Sequence, residues 1–233
     1  MCGILGGNNF NDIQEVKNGL ASIMHRGTDG NVIFHFEKSD FYMSHNRLSI
    51  QDLSESANQP LISENEKFVL AFNGEMWKPF FRKFNNKLRK KYNFKTERSD
   101  SELLLYYLID NRDNILEAMK NLDGMFCFAF YDVERNQLTL GRDFIGRLPL
   151  YYAFENEKIV FSSEVKGLQS ANKELKFFNV DRNRKAPKGE EEKIKVVEPG
   201  TIVTVSENLI GVTNCEIKRW NDFKPEFNPE NPT

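Results

Sequence analysis

The sequence predicts an α+β layered sandwich, and three observations lead there. Short apolar or alternating runs dominate the chain. Residues 125–162 string several of them together across turns too short for a helical crossover, which favours antiparallel pairing. Helical spacing appears only in separate stretches suited to covering sheet faces.

Taken in order, Ile13, Val16, Leu20, Ile23 and Met24 recur at helical spacing, and the spacing predicts a first helix there. Residues 40–50 (DFYMSHNRLSI) and 67–72 (KFVLAF) read as strands, followed by a helix carrying Phe80, Phe84 and Leu88 on one face. Leu104, Tyr107, Leu108, Leu116 and Met119 form the next helical group. Strands are then expected at 125–131, 137–141, 150–154, 158–162 and 201–205. The stretch 182–195 (RNRKAPKGEEEKIK) is almost devoid of apolar residues and is expected to be a mobile surface loop. The Pro-rich segment 223–233 reads as a tail or linker, which leaves 1–222 as one domain.

Composition narrows the function. Thirty-two Lys and Arg stand against 34 Asp and Glu in 233 residues, a net charge of −2 that gives no broad field for nucleic acid or an anionic membrane. The three cysteines, Cys2, Cys127 and Cys215, are odd in number and lack C-x-x-C spacing, so neither a disulfide framework nor a zinc knuckle is suggested and a reducing cytoplasm is expected. No apolar run approaches the ~18 residues of a membrane span, and the start, Met-Cys-Gly-Ile-Leu-Gly-Gly, has no export signal.

Chemistry is carried by four places. Removal of Met1 would put a thiol and a free α-amine on Cys2, and an amine of reference pKa roughly 7.7–8.0 is a base able to take the thiol proton. His25, His35 and His45 lie in contexts that suggest neither a base nor a metal ligand. Asn73-Gly74-Glu75 follows a strand. The Asn73 amide and the Gly74 N–H suit an oxyanion, though Asn-Gly after an alternating strand equally reads as a hairpin turn. Arg47 suits bidentate pairing with a carboxylate, or a surface salt bridge. Asp100, within Ser99-Asp100-Ser101-Glu102, suits an ammonium ligand, or simply a helix N-terminus with Ser99 as N-cap and Glu102 three residues into the helix.

The order of these motifs resembles the glutaminase domain of glutamine-dependent asparagine synthetases, which are class II (N-terminal nucleophile) amidotransferases. The match runs through Met1-Cys2-Gly3-Ile4, His25-Arg26-Gly27-Thr28-Asp29-Gly30, Arg47-Leu48-Ser49-Ile50, Gln59-Pro60, Asn73-Gly74-Glu75 and Ser99-Asp100-Ser101-Glu102. It continues through Gly124-Met125-Phe126, Arg142-Asp143, Gly146, Pro149-Leu150-Tyr151-Tyr152, Phe161-Ser162-Ser163-Glu164-Val165-Lys166, Glu198-Pro199-Gly200 and Arg219-Trp220. The resemblance implies a four-layer αββα sandwich, two antiparallel sheets between helices, that hydrolyses L-glutamine without metal or organic cofactor. Cys2 would be nucleophile and base, and Asn73 and Gly74 the oxyanion hole. Arg47 would hold the α-carboxylate and Asp100 the α-ammonium, with Leu48, Ile50 and Glu75 also lining the substrate. The chain departs from the family at Thr28 (usually Pro), at Met76-Trp77-Lys78 (usually Ile-Tyr-Asn) and at Phe144-Ile145-Gly146-Arg147-Leu148. It holds no Ser-Gly-Gly-Leu-Asp-Ser pyrophosphate loop, so ammonia would pass to an ATP-dependent synthetase domain or subunit elsewhere. The glutaminase part of a glucosamine-6-phosphate synthase, and a glutamine sensor without turnover, are the alternatives.

Overall fold

A computed structural model describes residues 1–173, 175, 193–207 and 213–220. Twelve strands and five α-helices lie within them: β1 (Gly3–Gly7), α1 (Ile13–Ser22), β2 (Gly30–Phe36), β3 (Phe41–Arg47), β4 (Leu61–Ile62), β5 (Phe68–Met76), α2 (Lys78–Lys91), α3 (Asp100–Asp110), α4 (Ile115–Met119), β6 (Gly124–Asp132), β7 (Gln137–Arg142), β8 (Tyr151–Glu155), β9 (Lys158–Ser162), α5 (Val165–Ala171), β10 (Ile194–Val196), β11 (Thr201–Glu207) and β12 (Thr213–Arg219). They form two six-stranded sheets, in the orders β10-β8-β9-β1-β3-β2 and β12-β11-β7-β6-β5-β4. Every pairing is antiparallel.

Side-chain alternation builds the layers. On β5 and β6, Phe68, Leu70, Phe72, Phe126, Phe128 and Phe130 face α2, α3 and α4, while Val69, Ala71, Cys127, Ala129 and Tyr131 face the other sheet. Each fully buried Phe contributes about 2 kcal/mol. On the first sheet Ile4, Met43 and Phe161 meet that inner layer, and Leu5 and Val160 pack with Val16, Leu20 and Leu168 of α1 and α5. The result is the expected helix–sheet–sheet–helix sandwich.

Asp12 caps α1 by accepting the Glu15 N–H at 3.0 Å, and Ser99 caps α3 by accepting the Glu102 N–H at 3.3 Å. The Glu102 carboxylate does not return to Ser99. It takes the N–H groups of Lys95 and Thr96, both at 2.8 Å, and so fastens the loop leading to α3.

Several expectations are corrected. The strand expected over 40–50 stops at Arg47, and 48–50 turn into a loop. The helical group spanning Leu104 to Met119 is two helices, α3 and α4, separated at 111–114. β5 does not end before Asn73 in a hairpin; it runs to Met76, paired residue for residue with Gly124–Asp132. Of the charged stretch 182–195, residues 182–192 lie outside the described residues, and Ile194 and Lys195 belong to β10, paired with Ala153 and Tyr152. The 223–233 tail also lies outside them. Strands β1, β2, β4 and β12 were not foreseen. β1 hides behind its glycines: a Cβ on Gly6 would sit 2.4 Å from the Tyr42 carbonyl oxygen, so close sheet packing outweighs strand propensity.

Candidate active site

Cys2 enters β1 at the end of the space between the sheets. Its Sγ lies 3.4 Å from the Leu48 N–H and 3.7 Å from the Leu48 carbonyl, and its backbone N donates to Asn73 Oδ1 at 3.0 Å. Burial pushes the thiol pKa up, against the Leu48 N–H and the positive charges of the N-terminus, Arg47 and Arg26, which pull it down. Arg26 fixes the residue from behind. Its Nε donates to the Cys2 carbonyl at 3.0 Å while its Nη1 binds Glu164 at 2.9 Å.

The cross-strand partner of Asn73 is Cys127, whose Sγ lies 3.9 Å from Asn73 Nδ2. With Oδ1 occupied by Cys2 and one amide hydrogen facing Cys127, the second hydrogen of Nδ2 remains to be given. Backbone alternation settles the direction of Gly74. Phe126 exchanges both its backbone groups with Asp143, so the Gly74–Phe126 pair is not hydrogen-bonded and the N–H groups of Phe72, Gly74 and Met76 point away from β6. Phe72 N–H goes to Gln59 Oε1 at 2.7 Å and Met76 N–H to Asp100 Oδ2 at 3.0 Å; the Gly74 N–H between them faces the cavity. Gly74 has φ +155°, and a Cβ there would lie 2.3 Å from the Met125 carbonyl oxygen, so glycine is required.

Arg47 ends β3 and is buried, with Nη1 donating to Ser54 O at 3.0 Å and Asn58 Oδ1 at 2.6 Å, and Nη2 to Asp52 O. Among the described residues it has no carboxylate partner, so the salt-bridge alternative fails and the guanidinium stands as an anchored cation. Asp100 opens α3. Burial pushes its carboxyl up to about 6, with nearby Glu75 adding to the rise and the Met76 N–H opposing it. Cys2, Arg47, Leu48, Asn73, Gly74, Glu75 and Asp100 line one cavity of about 140 Å³, an amino-acid-sized space. Ile50 also borders it, but its side chain is 73% exposed and reaches outward.

The sequence left Arg26, Gln59 and Asp29 without roles; Asp29 Oδ2 accepts the Ser49 N–H at 2.7 Å and shapes the loop beside Cys2. Their signal was only membership of short motifs. None of the three histidines lines the cavity. His45 is fully buried with its pKa lowered to about 4 by desolvation, its Nε2 at 3.2 Å from Phe72 O. The departure at 144–148 reaches from surface to site: Phe144 and Ile145 stay exposed, whereas Leu148 is buried and lines the cavity, its carbonyl clamped with those of Val197 and Gly146 by Arg142. Among the described residues no group of three or more His, Cys, Asp or Glu is placed to hold a metal ion, and no helix is long and apolar enough to cross a membrane.

Residues 1–216 match the family model of the glutamine amidotransferase domain. A probable glutamine-hydrolysing asparagine synthetase of Dictyostelium discoideum is 35% identical over 72% of this chain and 30% of its own length. Glutamine-hydrolysing asparagine synthetase 1 of Bacillus subtilis is 31% identical over 98% of this chain and 36% of its own, so the chain spans about a third of these relatives. The solved glutamine phosphoribosylpyrophosphate amidotransferase of B. subtilis shares the fold, with a TM-score of 0.69 over 95% of this chain and 50% of that one at 18% identity. The chain belongs to the glutamine amidotransferase domain family, in its class II form.

Proposed function

We propose that this chain hydrolyses L-glutamine to glutamate and ammonia through a thioester on Cys2, and that the ammonia passes to an asparagine synthetase-like, ATP-dependent amidation on a separate domain or subunit. The observation that carries the reading is one small cavity beside the Cys2 thiol, holding an anchored cation without an anion, Arg47, and a buried anion, Asp100. Free glutamine presents the complementary carboxylate and ammonium, fixed relative to its side-chain amide, and the resulting proximity lowers the barrier for a nucleophile.

With Met1 removed, the Cys2 nitrogen becomes an amine held where its N–H now donates, on Asn73 Oδ1. The neutral amine takes the Sγ proton, and Sγ attacks the side-chain amide carbon of glutamine. The tetrahedral oxyanion is met by the Gly74 N–H and the remaining Asn73 Nδ2 hydrogen. Collapse breaks the C–N bond, the Cys2 ammonium returns its proton to the leaving nitrogen, and ammonia departs. Water, deprotonated by the same amine, then attacks the γ-glutamyl thioester and releases glutamate, restoring the thiol. All three cysteines are free thiols, which suits a reducing compartment such as the cytoplasm.

The test is ammonia release from L-glutamine by untagged protein, with intact mass reporting whether Met1 is gone. Cys2→Ala and any N-terminal extension are expected to abolish release. Full turnover by an extended chain would refute the N-terminal base, and glutamine binding without ammonia in a processed chain would make the protein a sensor.

A further inference from the structure

The near-neutral chain conceals one concentrated field. From Lys78 to Arg98 there are nine Lys and Arg and a single acid, Glu97, a net +8 that leaves −10 for the rest of a chain whose net charge is −2. α2 turns Phe80, Phe84 and Leu88 inward, and Lys78, Arg82, Lys83, Lys87 and Lys90 are exposed. Among the described residues only Lys91 of the nine has a carboxylate partner, Asp110; Arg89 is spent on Asn85 and the Thr96 and Glu97 carbonyls. At the N-terminal end of this helix lies a groove of about 560 Å³, with Trp77 (40% exposed), Phe81, Lys78 and Arg98 on its walls. Gln51 and Glu75 line both the groove and the cavity beside Cys2.

We infer that the basic face of α2 and the Trp77 groove dock an acidic segment of a partner protein, whose apolar side chain fills the groove and which thereby covers the mouth of the Cys2 cavity. Charge complementarity names the sign of the partner. The groove favours a protein over other polyanions: it is concave where a lipid surface is flat, and Met76, Trp77, Pro79 and Phe81 give it a largely apolar lining that suits a side chain better than a phosphate. An exposed Trp beside Arg is also the composition of protein-interface anchors. That the docked partner receives ammonia rests on the proposed glutaminase reading; the docking itself does not.

The test uses the full chain and a fluorescein-labelled peptide of ten Glu with a central Leu. Fluorescence anisotropy is expected to show binding that weakens at least 10-fold in the variant Arg82→Glu/Lys83→Glu/Lys87→Glu/Lys90→Glu and at least 5-fold in Trp77→Ala. All four reversed residues face solvent, and circular dichroism checks that the helix is retained. Saturating peptide is expected to slow iodoacetamide alkylation of Cys2, read by mass on the Cys2 fragment, several-fold in the wild type and not in the charge-reversed variant. Because alkylation needs no turnover, failure of docking and failure of glutamine hydrolysis are read separately. Unchanged peptide affinity in either variant, unprotected Cys2, or tighter binding of phosphatidylserine vesicles or of single-stranded RNA than of the peptide would each overturn the proposal.

Discussion

Replacing Asp100 with Asn should make the protein more stable and worse at holding its substrate. The carboxyl is buried at the start of α3, and desolvation raises its pKa from 3.8 to about 6. A folded-state pKa above the unfolded one means that the native protein binds the extra proton between about pH 4 and 6. Stability is therefore fully present below that window and falls as the pH rises through it, then stays level above. Two units at about 1.4 kcal/mol each place the loss at about 3 kcal/mol. Asn keeps an oxygen for the Met76 N–H, and the forfeited attraction of an acid to a helix N-terminus is worth under about 1 kcal/mol, so the net gain at pH 8 is about 2 kcal/mol. For a domain of this size that raises Tm by about 4–8 °C. Urea denaturation at pH 4 and pH 8 is the assay: the variant should gain at pH 8 and match the wild type at pH 4. Glutamine affinity should move the other way, falling about 10–100-fold in the variant, and in the wild type KM should rise as the pH drops through about 6 and the carboxylate is neutralised. A variant less stable than the wild type at pH 8, or a gain that is the same at both pH values, would refute the assignment of Asp100 as a costly, retained anion.

Three further substitutions probe the site's supports. Gly74→Ala drives a Cβ to within 2.3 Å of the Met125 carbonyl at φ +155°, and overpacking plus backbone strain should cost about 2–5 kcal/mol, read as a lowered urea midpoint; a midpoint within error of wild type would show that β5 and β6 separate freely there. Arg47→Lys preserves charge but cannot reach Ser54 O, Asn58 and Asp52 O while presenting a fork to a carboxylate, so glutamine KM should rise about 10-fold or more with kcat less affected. Gln59→Leu leaves the buried Phe72 N–H without its acceptor and should destabilise by about 1–3 kcal/mol in thermal melts, with no comparable effect from Gln51→Leu on the exposed loop.

The layers were legible because β5 and β6 read as short unbroken apolar runs, β7 alternates, and α1 and α2 carry their apolar residues at helical spacing, signals that depend only on neighbours in sequence. What failed to show were features set by distant partners. Gly6 reads as a strand breaker until the Tyr42 carbonyl beside it is seen, and Asn73-Gly74 reads as a turn until the one-for-one pairing of Phe68–Met76 with Gly124–Asp132 carries the strand through it. Glu102 satisfies the spacing of a capping box, yet its carboxylate serves the Lys95 and Thr96 N–H groups instead. The same division holds in the cavity. Cys2, Arg47 and Asp100 announce themselves by residue type, whereas the reason Gly74 offers a free N–H is that Asp143, seventeen positions beyond Phe126, takes the hydrogen bonds of the residue opposite. Local rules and tertiary placement conflict at Asn73, Gly74 and Asp100, and each conflict has a chemical use: an amide turned to a backbone nitrogen, a strand N–H withheld from the ladder, a carboxylate kept in a place that raises its pKa. A sequence optimised for stability alone would relieve all three, and relieving them would remove the donors and the anion on which the proposed glutamine hydrolysis at Cys2 depends.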